Sequence, residues 1–254
     1  MQRYFIKEDQ VRDGHVEIVG SDVHHMVNVM RFGMGDRVIL CTDQQQSYVA
    51  EILSLTKTHV RVKVVNRKEE FVELPVFVTI AQGMIKLDKM EWVIQKGTEC
   101  GASGFMPVRM KRSVAKVEAK KADSRRDRWQ KIALEAARQS HRQVVPTVGD
   151  VADFDQVLKM GEQYDLCLFA YEAFNQGDKG RLATVLQGVE QGAKVLILIG
   201  PEGGIDETEV EALIQAGFCP IGLGPRILRT ETAPIYVLSA MSYVLEIERG
   251  TLNE

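Results

Sequence analysis

The sequence predicts an α/β protein in two parts: a small N-terminal β-barrel over residues 1–72, then a parallel sheet with covering helices over 73–254. Three observations predict it. Up to about residue 70 the chain reads as short β-branched segments alternating apolar with polar, the pattern of half-buried strands. After Pro75, buried strand-like runs alternate with amphipathic helical stretches, the pattern of a parallel sheet. Between the two, the charge run "RKEE" and Pro75 mark a boundary.

In chain order, the strands of the first part are "HVEIVG", "DRVILCTD", "SYVAEILSLT" and "HVRVKVVN", with turns at 33–36 and 43–46. One short helix fits "SDVHHMVNVMR", capped by Ser21 or Asp22. In the second part "VFVTIAQ" is a buried strand, and "KLDKMEWVIQKGTEC" is a helix ended by Gly101. "GFMPVRM" is a strand and "SRRDRWQKIALEAARQS" a long helix, with Ile132, Leu134, Ala136 and Ala137 near its apolar side. Then come the helix "FDQVLKM", the strand "YDLCLFAYE", the helix "GRLATVLQGV" and the strand "KVLILIG". Asp206 caps "ETEVEALIQAG", Glu209 completes a capping box three residues on, and Gly217 closes the helix. "FCPIGLG" is the last strand. The final helix runs over 233–249, with Pro234 tolerated in its first turn. It is apolar on more than one face, through Ile235, Val237, Leu238, Met241, Val244, Leu245 and Ile247, and so needs more than one packing partner.

Composition narrows the function classes. Hydrophobic content of 45% supports a full core, and no apolar run is long enough to span a bilayer. The N-terminus lacks the apolar stretch of a signal peptide, so a soluble cytoplasmic protein is expected. Cys41, Cys100, Cys167 and Cys219 are widely spread with no CxxC, and the histidines show no ligand spacing, so neither disulfides nor a metal site is expected. Net charge is −3, yet residues 109–142 hold twelve Lys and Arg against four Asp and Glu, leaving about −11 elsewhere. That asymmetry suits either a basic face for a polyanion or a solvated helix of mixed charge.

Parallel sheets hold ligands beyond the carboxyl ends of their strands. Two Gly-containing turns occupy that position, "IGPEGG" and "GLGPRILRTETA". Neither carries the Gly-Lys-Ser/Thr of a P-loop, nor a GxGxxG after a strand, so a phosphate cradle is not supported. The turns suit a nucleoside such as S-adenosylmethionine, read by backbone groups. Tight turning alone accounts for one of them, less readily for two on neighbouring strands. "RILRTETA" places Arg226, Arg229 and Glu231 beside Thr230 and Thr232; helix capping by a threonine explains the threonines but not two arginines flanking an acid. "EAARQSHRQVVP" puts Arg138 and Arg142 four apart on one helix end, suited to phosphate contact or to matching the helix dipole.

"KMEWVIQKGTECGASGFMP", "LEAARQSHRQVVP", "LIGPEGG" and "LGPRILRTETA", in that order, closely resemble the RsmE family, the 16S ribosomal RNA uridine-N3 methyltransferases of the SPOUT superfamily. "RYF" and "HHMVNVMRFGMGD" resemble that family's PUA-like RNA-binding barrel, with methionines in place of leucines as a conservative departure. The resemblance spans nearly the whole chain, and "GPEGG" with "LRTETA" is its most specific part.

The resemblance implies a SPOUT-type sheet with a deep C-terminal trefoil knot, an exception to the rule that chains do not thread loops. It implies S-adenosylmethionine bound in that knot, no metal, a homodimer with the site at the subunit interface, and 16S ribosomal RNA or the small ribosomal subunit as partner. Carried over, Leu198, Gly200, Pro201, Glu202, Gly203 and Gly204 contact the cofactor from the first turn. Leu223, Gly224, Ile227, Leu228 and Thr230 contact it from the second. Arg229 and Glu231 carry the chemistry, Glu231 accepting the N3 proton or holding the arginine in place and Arg229 stabilising negative charge on the uracil oxygens, with Arg138 a third candidate, for phosphate or uracil contact from the partner subunit. Arg3, Arg31, Arg109, Arg112 and Arg142 are the candidate RNA contacts. Competing readings are a SPOUT enzyme with another nucleotide target, a noncatalytic ribosome-assembly factor and, disfavoured by the missing P-loop lysine, a nucleotide hydrolase.

Overall fold

The first part forms β1 (Arg3–Ile6), β2 (His15–Val19), β3 (Arg37–Thr42), β4 (Ser47–Leu55) and β5 (His59–Lys68), joined in the order β1-β3-β4-β5-β2; β2 to β5 are the four predicted segments, and β1 is not among the expected strands. The β1–β3 pair is parallel and the others antiparallel. Alternation sends Val16 and Ile18, Val38 and Leu40, Ala50 and Ile52, and Val60 and Val62 to one buried face, where Tyr4 and Met26 join them. The end strands β1 and β2 do not pair with each other among the described residues, so the sheet's closure into a barrel is not part of its hydrogen-bond pattern. The computed structural model describes residues 1–69, 71–115, 119–172 and 181–248. The short helix α1 (Ser21–His24) widens into π-type turns through Val29. Its N-cap is Gly20, at φ 76°, and not Ser21 or Asp22 as expected. The Asp22 carboxylate is held by an arginine instead, as described below.

Among the described residues the second part holds seven strands. They are β6 (Phe77–Gly83), β7 (Gly104–Arg109), β8 (Thr147–Val148), β9 (Ala152–Asp153), β10 (Leu166–Ala170), β11 (Lys194–Ile199) and β12 (Cys219–Ile221), in the order β12-β10-β11-β6-β7-β8, with β9 beside β7. Every pairing is parallel. The helices are α2 (Leu87–Glu99), α3 (Ala119–Gln139), α4 (Phe154–Met160), α5 (Arg181–Gln187), α6 (Glu207–Gln215) and α7 (Ala233–Ser242). The two-residue strands β8 and β9 carry too little pattern to be read from sequence. The expected end of the last helix at Arg249 lies outside the described residues.

Helix ends follow the expected chemistry. Gly101 and Gly217 close α2 and α6 in Schellman turns: Ala102 N–H donates to Gly97 O at 2.9 Å, and Phe218 N–H to Leu213 O at 2.9 Å. At α6, Asp206 accepts from Thr208 N–H while Glu209 reaches back to Asp206 N–H, the capping box expected. Helix α3 ends in the same turn without a glycine. His141 takes the left-handed position at φ 58°, and Arg142 N–H donates to Ala137 O at 2.9 Å. That turn separates Arg138 from Arg142, so the face they were expected to share does not form.

By contacts, the chain divides into two units, residues 1–73 with 137–145, and 74–136 with 146–254. The sequence-based division placed 137–145 in the second. The reason is a buried polar cluster that no local pattern reveals. Glu73 accepts from both Nε and Nη2 of Arg142, and from the backbone N–H groups of Gln143 (2.7 Å) and Val144 (3.1 Å). Gln143 Nε2 donates to Ser47 Oγ at 3.0 Å.

Candidate functional site

Register alone prepares the site. Gln82 of β6 lies opposite Ile199 of β11, and Ala170 of β10 lies opposite both Ile199 and Ile221 of β12. Four strands of the second unit therefore end level, and the turns after β11 and β12 leave from one row.

The first turn is packed too tightly for side chains. A Cβ on Gly200 would stand 2.8 Å from Ile205 Cγ1, and Gly204 holds φ +74°. Against it lies Arg112, whose Nη1 donates to Gly203 O at 3.5 Å and whose Nη2 sits 3.3 Å from Asp206 Oδ2. Lys111 N–H donates to Glu209 Oε1 at 2.8 Å, so the cap of α6 also anchors this segment.

The second turn is stapled to the first. Thr230 Oγ1 donates to Gly200 O at 2.5 Å and accepts from Gln82 Nε2 at 2.9 Å. Gln82 Nε2 also reaches Gly83 O (3.1 Å) and Gly200 O (3.4 Å). Gln82 is buried, and its Oε1 has no hydrogen-bond partner among the described residues. Helix α7 starts without a side-chain cap; Arg229 O accepts from Thr232 and Ala233 N–H. Capping by Thr230 or Thr232 is thus not what these threonines do.

Glu231 faces a lysine. Lys89 Nζ, in the first turn of α2, lies 3.2 Å from Glu231 Oε2 and 3.5 Å from Glu202 Oε1. The approach to Glu231 is an ion pair more than an aligned hydrogen bond, since Oε2 meets no hydrogen-bond geometry. The Glu231 carboxylate is the main cause that raises the Lys89 ammonium above its usual range, opposed by partial desolvation. Glu202 Oε1 also accepts Lys86 N–H at 3.4 Å.

Between the two turns lies a cavity of about 710 Å³. Of the residues expected from sequence, Gly200, Pro201, Glu202, Gly203, Gly204, Leu223, Ile227, Leu228, Arg229, Thr230 and Glu231 line it together. Leu198 is fully buried in the core beneath, and Gly224 is not on the wall. Ile227 is 83% exposed at the rim. Sequence reasoning missed Gln82, Lys89, and Tyr171 with Glu172 after β10. It also read Arg112 as an RNA contact without placing it on the cavity wall. A polar residue ending an apolar strand was a usable signal for Gln82. Lys89 looked like any solvated helix lysine.

The other expected residues disperse. Arg138 is a buried member of the first unit: Nη2 lies 2.5 Å from Asp22 Oδ1, and its guanidinium sits 5.5 Å from the Tyr4 ring centroid. It is not on the cavity wall, and a buried, paired arginine is not available to a partner subunit's uracil. Arg3 and Arg142 are 2% and 4% exposed; Arg142 is held by Glu73, and Arg3 Nη1 donates to Arg142 O at 3.5 Å. Both are corrected from RNA contacts to parts of the buried cluster. Arg31 and Arg109 are exposed, Arg109 paired with Asp153 at 2.8 Å. Among the described residues, seven of the twelve cations of 109–142 pair with acids: Arg126 with Asp150 (2.7 Å), Arg128 with Glu91 (2.6 Å) and Lys111 with Asp206 (3.7 Å), besides Arg109, Arg112, Arg138 and Arg142 above. This favours the solvated mixed-charge reading of that segment. Among the described residues no cluster could hold a metal, and no helix is long and apolar enough to cross a membrane.

Comparison with known proteins agrees with this architecture. Residues 72–242 match the RNA methyltransferase domain family, and residues 19–65 match an RNA methyltransferase PUA domain. A Bacillus subtilis protein, ribosomal RNA small subunit methyltransferase E, is 46% identical over 98% of this chain and 99% of its own length. Two solved structures superpose closely. One is a ribosomal RNA small subunit methyltransferase E from Neisseria gonorrhoeae bound to S-adenosyl methionine (27% identity, 96% of this chain and 98% of that one, TM-score 0.82). The other is a putative methyltransferase from Legionella pneumophila with bound cofactor SAM (27%, 95% and 97%, TM-score 0.81).

Proposed function

The chain belongs to the ribosomal RNA small subunit methyltransferase E family, and from that premise we propose that it transfers a methyl group from S-adenosylmethionine to N3 of a uridine in 16S ribosomal RNA. The observation that carries the reading is the stapled pair of turns, which shapes a cavity at the carboxyl ends of the strands beside the carboxylate of Glu231. Its residues fit the cofactor. A volume of about 710 Å³ is within the usual range for such ligands. Backbone and apolar side chains, from Ile199 to Ile205 and at Leu223 and Leu228, share its walls with four acids, Glu172, Glu202, Glu207 and Glu231, and four cations, Lys89, Arg112, Arg226 and Arg229, a lining suited to a ligand that carries charges of both signs.

When bound, S-adenosylmethionine supplies an electrophilic methyl carbon on a sulfonium. The chain's own task is to make uracil N3 nucleophilic and to align it. Backbone groups of 199–204 and 223–230 hold the cofactor in place. Glu231 takes the N3 proton; the N3 electron pair then forms the bond to the methyl carbon as the carbon–sulfur bond breaks. Arg229, exposed on the same wall, stabilises the negative charge on the uracil oxygens until that bond forms.

The domain assignment, residues 1–72 for RNA grip and 73–254 for chemistry, belongs to the same proposal. So do Arg31, Arg109 and Arg112 as phosphate contacts, barrel closure of the first sheet, a trefoil knot through the two stapled turns, and action in the cytoplasm. A homodimer is supported by apolar surface left open along the final helical stretch, at Tyr236, Tyr243 and Ile247. The test is mass spectrometry of 16S ribosomal RNA from cells lacking the protein. One N3-methyluridine is lost and returns with the wild-type gene but not with Glu231→Gln; unchanged methylation overturns the reading.

A further inference from the structure

Lys89 has no part in the chemistry just described, yet its placement needs a cause. It stands in the first turn of α2, where the helix dipole disfavours a cation. What holds it there is a carboxylate from each cavity turn, Glu202 of the first and Glu231 of the second. Glu202 in turn accepts the backbone N–H of Lys86, which ties the start of α2 to the first turn. The side chain of Glu231 is only 16% exposed, and its Oε2 is closed off from solvent.

We propose that Lys89 is a positioning residue for the methyl transfer: it fixes the Glu231 carboxylate through Oε2, leaves Oε1 as the oxygen that takes the N3 proton, and locks the second turn to the first through Glu202. The inference rests on the reading of Glu231 as proton acceptor. A free glutamate on a turn would sample several rotamers, and only a fraction would present an oxygen to N3. A cation gripping one oxygen removes that freedom without touching the substrate. A lysine serving only the stability of α2 would change folding and leave the rate alone.

The test is a double-mutant cycle in single-turnover methyl transfer to small-subunit RNA, with Lys89→Met, Lys89→Arg and Glu231→Gln in the full chain. S-adenosylmethionine affinity and the urea midpoint are measured alongside. Lys89→Met is expected to slow transfer about tenfold, the effect of misplacing a general base that itself contributes about a hundredfold or more. Cofactor affinity should stay within about threefold, and Lys89→Arg should recover most of the rate. In the Glu231→Gln background, Lys89→Met should cost nothing further, because there is no longer a base to hold. Rates that multiply in the double variant, or a Lys89→Met rate within about twofold of wild type, overturn the positioning role while leaving Glu231 in place. A Glu231→Gln enzyme within about threefold of wild type overturns the Glu231 reading itself, a result separate from any Lys89 outcome.

Discussion

Replacing Thr230 by valine tests the staple that joins the two turns. The side chains are close in shape, so the change removes a hydroxyl and leaves little cavity. Two hydrogen bonds go with it, the 2.5 Å bond to Gly200 O and the 2.9 Å bond from Gln82 Nε2. Gln82 Nε2 keeps Gly83 O and Gly200 O, so no donor is stranded. At about 0.5–1.5 kcal/mol per bond the loss is about 1–3 kcal/mol. If the turns part in the free protein and close on the cofactor, that sum appears in affinity, a weakening of about 5- to 150-fold. If they stay together, it appears in unfolding. Calorimetry with S-adenosylmethionine and urea denaturation divide the sum between the two. Both values within experimental error of wild type would mean that the hydroxyl holds nothing, and the staple account fails.

Other outcomes follow from the same structure. Arg142→Met leaves the Glu73 carboxylate buried without its cation and should destabilise the first unit by about 3–5 kcal/mol in urea, whereas a surface RNA contact would change RNA affinity and leave the midpoint alone. Gly83→Ala places a Cβ 2.7 Å from both Cδ and N of Pro201, atoms with little freedom to give; the first turn should shift and cofactor affinity fall about tenfold or more, read by calorimetry. Burial raises the Cys167 thiol from 9.0 to about 11, so the unfolded chain ionises first as pH rises. Its contribution is intact below pH 9 and is lost as pH climbs through about 11, a decline in urea midpoint that Cys167→Ala should flatten.

What could be read from the sequence was whatever neighbours decide. The Asp206–Glu209 box and the glycines at 101 and 217 are local devices, and each appears as expected. The two turns were legible because glycine, proline and an apolar run leave few other conformations. What failed was charge. Arg3, Arg138 and Arg142 looked like solvent-facing cations because their partners lie far along the chain: Glu73 is 69 residues from Arg142, and Asp22 is 116 from Arg138. Lys89 failed for the opposite reason, since an i, i+4 helix pattern assigns any polar residue to water. Ser21 lost its capping role to Gly20, whose positive φ turns the chain into the helix from outside it.

The return of residues 137–145 to the first unit orders events in time. During synthesis the first 73 residues emerge with Asp22 and Glu73 still lacking their arginines, and Glu73 lacking two further donors, the N–H groups of Gln143 and Val144, which are not yet made. The N-terminal unit therefore cannot finish folding until roughly twice its own length has been translated, while 63 residues of its neighbour wait as a loop inside it. For the same reason the unit is not a cassette. A graft of residues 1–73 onto another protein would carry a buried carboxylate with nothing to receive, and an exchange between relatives would need matched junctions at 73, 136 and 145.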